Sequence, residues 1–89
     1  MSFPLGRVVA TPGALHALDE ARQQPTVFLT RHQSGDWGEL SEDDVKANDL
    51  ALEQGTRLLS AYQTTKGERL WVITEADRSS TCILLPGEY

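Results

Sequence analysis

The spacing of apolar residues changes once along this 89-residue chain, close to Arg57, and this change constrains the fold more than any other feature. Before Arg57 the apolar residues recur every three or four positions, which is typical of helices with one buried side. After Arg57 they alternate with polar residues, which is typical of strands in a half-buried sheet. A chain of this length supports a single small core, so we expect one α+β domain over residues 1–89.

Three helices are predicted in the first half of the chain. The first spans Pro12–Arg22, with a threonine as its N-cap and a proline at its first position. The third follows the cap residue Ser41 and runs to about Gln54, where a glycine suits a left-handed C-terminal cap. The segment Pro25–Gln33 fits a short second helix, but residues 26–30 are β-branched and aromatic enough to fit a strand, and the sequence leaves both open.

Three strands are predicted in the second half, over Arg57–Gln63, Glu68–Glu75 and Ser80–Leu85. The connections between them are short, so we expect an antiparallel meander in which neighbours in sequence are neighbours in the sheet. The three helices would cover one face of this three-stranded sheet. Near the N-terminus, Arg7–Ala10 is a candidate for a fourth, short strand at an edge of the sheet.

The middle strand carries apolar residues on both of its sides. If Leu70 and Val72 point toward the helices, the alternating residues point away from them. Trp71 and Ile73 would then form an apolar patch on the open face of the sheet. A second copy of the chain, packed sheet to sheet in a homodimer, would cover this patch. The N-terminal segment 1–5 or a helix would cover it equally well, and the sequence does not decide between these covers.

Acidic residues are concentrated between positions 36 and 53. This segment holds seven acids and one lysine, a charge of −6, within a chain whose net charge is −5. Such a segment repels a phosphate backbone, so direct nucleic-acid binding is not expected. It would attract a basic protein surface instead. The structural alternative is a solvated helix face with acids gathered near the positive N-terminal end of the helix.

No catalytic or metal-binding motif occurs in the sequence. It lacks a glycine-rich phosphate loop, a nucleophile elbow and the paired histidines of a helical metal site. We therefore assign no catalytic residue, no metal and no cofactor, and an enzyme is the less favoured class. The best enzyme candidate combines His32 and Asp36 with the polar cluster at residues 75–78, which would supply a base and an anion-binding group if the fold brings them together.

Trp37 is the aromatic residue of most interest, because it lies in an irregular loop between an aspartate and a glycine. Two interpretations stay open: the ring plugs the core next to the third helix, or it is exposed as a hot spot for a partner. The candidate binding residues are Trp37, Asp36, Asp43, Asp44, His32 and Arg78.

Two stretches of the chain resemble one protein family. Residues 28–44 read FLTRHQSGDWGELSEDD, and residues 71–89 contain WVITEADRSST followed by LLPGEY. Both stretches, in this order and spacing, are similar to small proteobacterial proteins labelled "plasmid-related", and the resemblance spans roughly residues 5–89. It implies a protein of plasmids or integrated mobile elements. That family has no established activity, so the resemblance assigns no catalytic or binding residue.

The leading hypothesis is a small cytoplasmic protein of a plasmid or mobile element that works by binding another protein. Its basis is the acidic segment 36–53 together with the apolar open face of the sheet. Two alternatives stay open: a small hydrolase-like enzyme that uses His32 with nearby acids, and a nucleic-acid-associated regulator. No apolar run approaches the ~20 residues of a membrane span, and the first ten residues lack the apolar core of a signal peptide, so no membrane association is expected.

Overall fold

The computed structural model describes residues 3–89 as three helices and a four-stranded mixed sheet, which confirms the α+β class. A short strand comes first, three helices follow it, and three strands with a C-terminal 3-10 turn complete the fold. The elements are β1 (Arg7–Ala10), α1 (Pro12–Ala21), α2 (Pro25–Gln33), α3 (Glu42–Gln54), β2 (Leu58–Gln63), β3 (Arg69–Thr74), β4 (Ser80–Leu84) and the C-terminal turn (Pro86–Glu88).

The ends of α1 and α3 are determined by local capping. The Thr11 hydroxyl accepts a hydrogen bond from the N–H three residues later, and Arg22, with a φ of 54°, ends α1 one residue earlier than predicted. The Ser41 hydroxyl accepts from an N–H at 3.2 Å at the start of α3, and Gly55, with a φ of 69°, is its left-handed C-terminal cap. The caps at Thr11, Ser41 and Gly55 depend on adjacent residues only, so the sequence was sufficient to predict them, whereas the cap at Arg22 was not predicted.

The segment that the sequence left open, residues 26–30, belongs to helix α2. Pro25 occupies the first turn of this helix, where its missing N–H leaves no hydrogen bond unmade. Phe28 and His32 lie one helical turn apart, and both are buried against the sheet. The burial of this one helical face therefore outweighs the β propensity of the segment.

The order of strands in the sheet is β1-β4-β3-β2. Strands β2, β3 and β4 form the predicted antiparallel meander. The candidate strand at Arg7–Ala10 is confirmed as a fourth, edge strand, β1, but it runs parallel to β4, so the sheet is mixed and not purely antiparallel as the meander alone suggested. The connection between β1 and β4 is long enough for parallel neighbours, because it contains the three helices and strands β2 and β3. The partner of β1 lies at the far end of the chain, so the local sequence carries no information about the direction of this pairing.

Two apolar clusters of the core lie on the helix side of the sheet, and Ala61, Ile73 and Leu84 are buried on its outer face. The first lies under α1 and α2, and its buried members are Ala14, Ala17, Leu18, Phe28, Tyr62, Leu70, Val72 and Ile83. The second lies under α3, and its buried members are Phe3, Trp37, Ala51 and Leu58. Along β2, Ser60 lies between Leu58 and Tyr62, so a buried polar residue marks the boundary between the clusters.

The outer face of the sheet carries Trp71 and Ile73, which point away from the helices as expected. The ring of Tyr89 packs edge-on against Trp71 at 5.8 Å, and its hydroxyl accepts a hydrogen bond from Arg57. The part of the N-terminal segment that the structure describes does not cover this face, because Phe3 packs on the helix side. The C-terminal residue therefore supplies a partial cover that the sequence did not indicate.

Candidate functional site

His32 is completely buried between the two core clusters, where it joins α2 to the sheet. Its Nδ1 lies 2.5 Å from the hydroxyl of Ser60 on β2, and its Nε2 lies 2.9 Å from the hydroxyl of Thr74 on β3. Thr74 contacts Thr81 on β4 at 2.7 Å, and Thr81 donates to the backbone carbonyl of Leu5 at 2.7 Å. We call the side chains of His32, Ser60, Thr74 and Thr81 the His32 network.

The direction of the hydrogen bonds in the His32 network follows from its end at Leu5. A hydroxyl has one proton, so Thr81, which donates to the carbonyl, must accept from Thr74. Thr74 then has no proton left for the imidazole and accepts from the Nε2–H of His32. Because burial keeps the ring neutral, its one proton lies on Nε2, and Nδ1 accepts from the Ser60 hydroxyl.

Burial keeps the His32 ring neutral. Removal from water, with a smaller contribution from the positive charge of Arg78, lowers the pKa of His32 from 6.5 to about 4. The rings of Phe3 and Trp37 pack edge-on against the imidazole, with centroids at 5.3 and 5.7 Å. A serine bonded to an imidazole resembles an activated nucleophile, but Ser60 and His32 are both 0% exposed, so a substrate has no access to the pair. The network holds α2 against three strands.

Arg78 binds backbone carbonyl groups. It adopts a left-handed conformation, with a φ of 61°, in the turn between β3 and β4. Its guanidinium donates to the carbonyls of Glu75 and Ala76 in this turn, at 3.1 and 3.2 Å. It also donates to the carbonyls of Ala51 and Thr56 at the end of α3, at 3.2 and 2.7 Å. The side chain therefore caps two carbonyls at the C-terminal end of α3.

The loop that carries Asp36 and Trp37 is fastened to the core. Trp37 is 5% exposed, stacks on Phe3 at 6.2 Å and donates from its Nε1–H to Asp49 at 3.4 Å. Asp36 is exposed and pairs with Arg31 at 2.7 Å, and this hydrogen bond holds the pKa of the Asp36 carboxyl below its usual range. The structure therefore confirms the interpretation of Trp37 as a core residue. Little of its ring is exposed for contact with a partner.

The predicted candidates do not converge in one cleft. His32, Trp37 and Arg78 all pack around the ring of Phe3, which lies inside the second core cluster. Asp36 lies at the surface in its ion pair. Asp43 and Asp44 are exposed in the first turn of α3. The six candidates therefore separate into core residues, an ion-paired loop residue and two solvated helix residues.

The outer surface of α3 is the most strongly charged region of the described chain. Its net charge is −4, from five acids and Lys46. None of the five acids forms an ion pair within residues 3–89. Leu50 lies beside Asp49 and Glu53 and is 51% exposed. We call the following exposed side chains the acidic α3 surface: Glu42, Asp43, Asp44, Asp49, Leu50 and Glu53.

A second surface feature is a depression of about 610 Å³ beside the end of α1. It is lined by Asp19, Glu20, Ala21, Arg22 and Lys66, so charges of both signs face it and no ligand class is indicated. Within residues 3–89, no three His, Cys, Asp or Glu side chains lie close enough together to hold a metal ion.

The partners of His32 were not predicted from the sequence, although a signal for them was present. Ser60 and Thr74 lie at positions whose side chains point toward the helices, because side chains alternate between the two faces along each strand. A polar residue at such a position is usually hydrogen-bonded inside the core. Their pairing with a histidine on α2 depends on how the helix is placed over the sheet, and local pattern carries no information on that.

None of the helices within residues 3–89 combines the length and the apolar character needed to cross a membrane. A scan against protein-family models found no match, and searches of curated proteins and of solved structures found none either.

Proposed function

We propose that this chain is a non-enzymatic accessory module that binds a basic protein surface through the acidic α3 surface. The single observation that carries the proposal is the group of five exposed acids on α3, none of which forms an ion pair within residues 3–89. The burial of His32 and the use of Arg78 as a backbone cap also favour a non-enzymatic role over the hydrolase alternative.

The positions of the acids along α3 separate those that stabilise the helix from those that do not. Glu42, Asp43 and Asp44 lie in the first turn, where negative charge interacts favourably with the helix dipole. Glu53 lies in the last turn, where the same dipole is unfavourable to it by about 0.3–1 kcal/mol. Asp49 and Glu53 are also four residues apart, so they repel each other by about 0.2–0.5 kcal/mol. Helix stability therefore does not explain Glu53, whereas a basic partner would; Asp49 has a structural contact, because it accepts a hydrogen bond from the Trp37 indole.

Leu50 gives this surface an apolar centre. Its side chain is half exposed and lies in a shallow depression with Lys46, Asp49 and Glu53. Protein interfaces commonly combine an apolar anchor with a charged rim that remains in contact with solvent. The acids would accelerate the approach of a basic partner and make its binding dependent on salt.

The cellular setting of the proposal comes from the resemblance to "plasmid-related" proteins in residues 28–44 and 71–89. In that setting the module would act in the cytoplasm of a bacterial host, on behalf of a plasmid or integrated mobile element. A host protein that itself binds nucleic acid would present a suitable basic surface.

The proposal predicts that Glu53→Lys weakens partner binding while it stabilises the fold. We expect affinity to fall about tenfold at low salt, because an attractive charge becomes repulsive. We expect the free energy of unfolding to rise by about 0.5–1 kcal/mol, because lysine suits the C-terminal end of a helix. The measurement is quantitative capture from a nuclease-treated bacterial lysate, followed by calorimetric titration of the purified captured protein at two salt concentrations.

The chain offers a closely matched control. Glu20 is the second-last residue of α1, as Glu53 is of α3, and Glu20 is also exposed. The Glu20→Lys variant therefore makes the same change of charge at the same helical position on another surface, and should bind like wild type. If all three proteins retain the same partners with equal affinity, the acidic α3 surface is not the binding site.

A further inference from the structure

The two edges of the sheet differ in how they are protected. Along the outer edge of β2, the Glu39 N–H donates to the Ala61 carbonyl at 2.7 Å, and the Ala61 N–H donates to the Trp37 carbonyl at 3.1 Å. The loop before α3 therefore covers this edge. At the opposite edge, β1 pairs with β4 on one side and has no strand on its other side within residues 3–89. One edge of the sheet is closed and the other is open.

The open edge presents backbone groups that are ready to pair. Arg7 donates its N–H to the carbonyl of residue 79 at 2.9 Å, and Thr11 donates to that of residue 83 at 3.0 Å. Because the direction of backbone groups alternates along a strand, Val8 and Ala10 direct their N–H and C=O groups away from β4. The strand contains no proline and no bulge, and its four-residue length and the charge of Arg7 are the edge-protecting features that it has. Its outward backbone groups still make it a template for another strand.

We propose that two copies of this chain associate through β1, paired antiparallel about a twofold axis at Val9, so that their sheets join into one of eight strands. In this register Val8 of each copy exchanges both backbone hydrogen bonds with Ala10 of the other. Four hydrogen bonds form, and the two Val9 side chains face each other as a closely spaced pair. Val8 and Val9 are 44% and 41% exposed, and both would be covered.

The charges at the ends of β1 favour this register. Arg7 would lie opposite Thr11 of the second copy, so the two arginines are not opposite each other. The Thr11 hydroxyl donates to the Glu88 carboxylate at 2.6 Å, and this bond holds the pKa of the Glu88 carboxyl below its usual range. Arg7 has no ion-pair partner within residues 3–89 of its own chain. In the antiparallel pair, each Arg7 would therefore lie close to the Glu88 carboxylate of the other copy, which accepts a hydrogen bond from Thr11.

The size of β1 limits the strength of the association. A four-residue edge is shorter than the average strand, and its burial falls below that of a standard stable interface. We therefore expect a dimer that forms and dissociates with protein concentration. The acidic α3 surfaces would remain free in it, because α3 packs on β2 at the other edge of the sheet. The dimer proposal and the proposed function consequently succeed or fail independently.

Cysteine cross-linking tests the register. Facing residues of a pair without mutual hydrogen bonds have Cα atoms about 4.5 Å apart, within the range of a disulfide. When oxidised glutathione is added as the oxidant, Val9→Cys in a Cys82→Ser background should therefore form a disulfide between two copies of the chain. The Cys82→Ser change removes the thiol that neighbours Val9 on β4. Val8→Cys in the same background is the matched control, because its two thiols would be offset by two residues. We expect cross-linking of Val9→Cys to be at least about tenfold faster.

Molar mass from light scattering tests the association without added thiols. Wild type should move from monomer to dimer as its concentration rises. Val9→Lys should remain monomeric, because it places two ammonium groups opposite each other. Val27→Lys makes the same change at a valine that is 45% exposed on α2, and should behave like wild type. A wild-type protein that stays monomeric up to about 1 mM, or equal cross-linking of the two cysteine variants, would overturn the proposal.

Discussion

At the scale of single residues, His32 shows how a polar side chain can organise a core. Both of its ring nitrogens are hydrogen-bonded, and no buried polar side-chain atom within residues 3–89 lacks a partner. A satisfied buried network rigidifies the core, whereas the loss of one member leaves the others unpaired at a cost of about 1–3 kcal/mol each. The same burial makes the stability of the fold dependent on pH.

The first prediction at this scale is a loss of stability on acidification. The folded state binds the His32 proton only near pH 4, whereas the unfolded state binds it near pH 6.5. Between these values the unfolded state holds more protons, so stability falls as the pH falls. The loss attributable to His32 should reach about 3 kcal/mol at pH 4. Urea unfolding from pH 7 to pH 4, in wild type and in His32→Gln, measures this difference.

Val27 on α2 provides the control for this prediction. Its side chain is 45% exposed and carries no titratable group, so Val27→Gln should keep the pH dependence of wild type. His32→Gln should be less stable at pH 7 and should lose less stability toward pH 4. Parallel stability curves for wild type and His32→Gln between pH 4 and pH 6.5 would contradict the prediction, even if the variant were less stable throughout.

At the scale of elements, the segment at residues 37–39 that covers the β2 edge depends on a glycine. Gly38 has a φ of 75°, and a Cβ there would lie 2.0 Å from the carbonyl oxygen of Ala61. Gly35 in the same loop has a φ of 89°, but a Cβ there would meet no atom within 4 Å. The left-handed backbone conformation favours glycine at both positions. Only at Gly38 is there also no room for a Cβ atom.

We therefore predict unequal costs for the same substitution at these two positions. Gly35→Ala should reduce the free energy of unfolding by about 1–2 kcal/mol, because alanine is strained in the left-handed region. Gly38→Ala adds overpacking of about 1–3 kcal/mol and should cost about 2–5 kcal/mol in all. Denaturant unfolding of both variants measures the difference, and equal losses would show that the loop moves away from β2 at little cost.

At the scale of the whole molecule, the two faces of the sheet are covered by opposite ends of the described chain. Phe3 is buried on the helix side, and Tyr89 packs on Trp71 on the outer side. The helix side is closed by three helices as well, whereas on the outer side the C-terminal turn contacts β3. Trp71 is therefore shielded in part by an aromatic side chain that is itself 68% exposed.

The corresponding prediction concerns Tyr89→Ala. Loss of the edge-on aromatic pair and of the hydrogen bond from Arg57 should lower stability by about 1–2 kcal/mol. Acrylamide quenching of tryptophan fluorescence should increase, because Trp71 becomes more accessible while Trp37 stays buried. Leu50→Ala, at an exposed apolar residue on α3, should leave the quenching unchanged. If Tyr89→Ala has the quenching constant of wild type, the C-terminal residue does not shield Trp71.

The sequence by itself determined the elements whose causes are local. The caps at Thr11, Ser41 and Gly55 fix the helix ends, and the alternation after Arg57 fixes the strands and their inward faces. The short links between strands fix the meander, because short connections join antiparallel neighbours. The concentration of acids on α3 was also apparent from the sequence. In each case the determining residues lie within a few positions of one another.

Only the tertiary structure decided the features that join distant parts of the chain. The pairing of β1 with β4, the contacts of His32 with Ser60 and Thr74, and the burial of Trp37 all depend on how helices and strands are placed. The helical state of residues 26–30 belongs here too, since burial against the sheet outweighed local propensity. The energy of such contacts comes from burying both partners together. The residues next to either partner in the sequence therefore do not predict the contact.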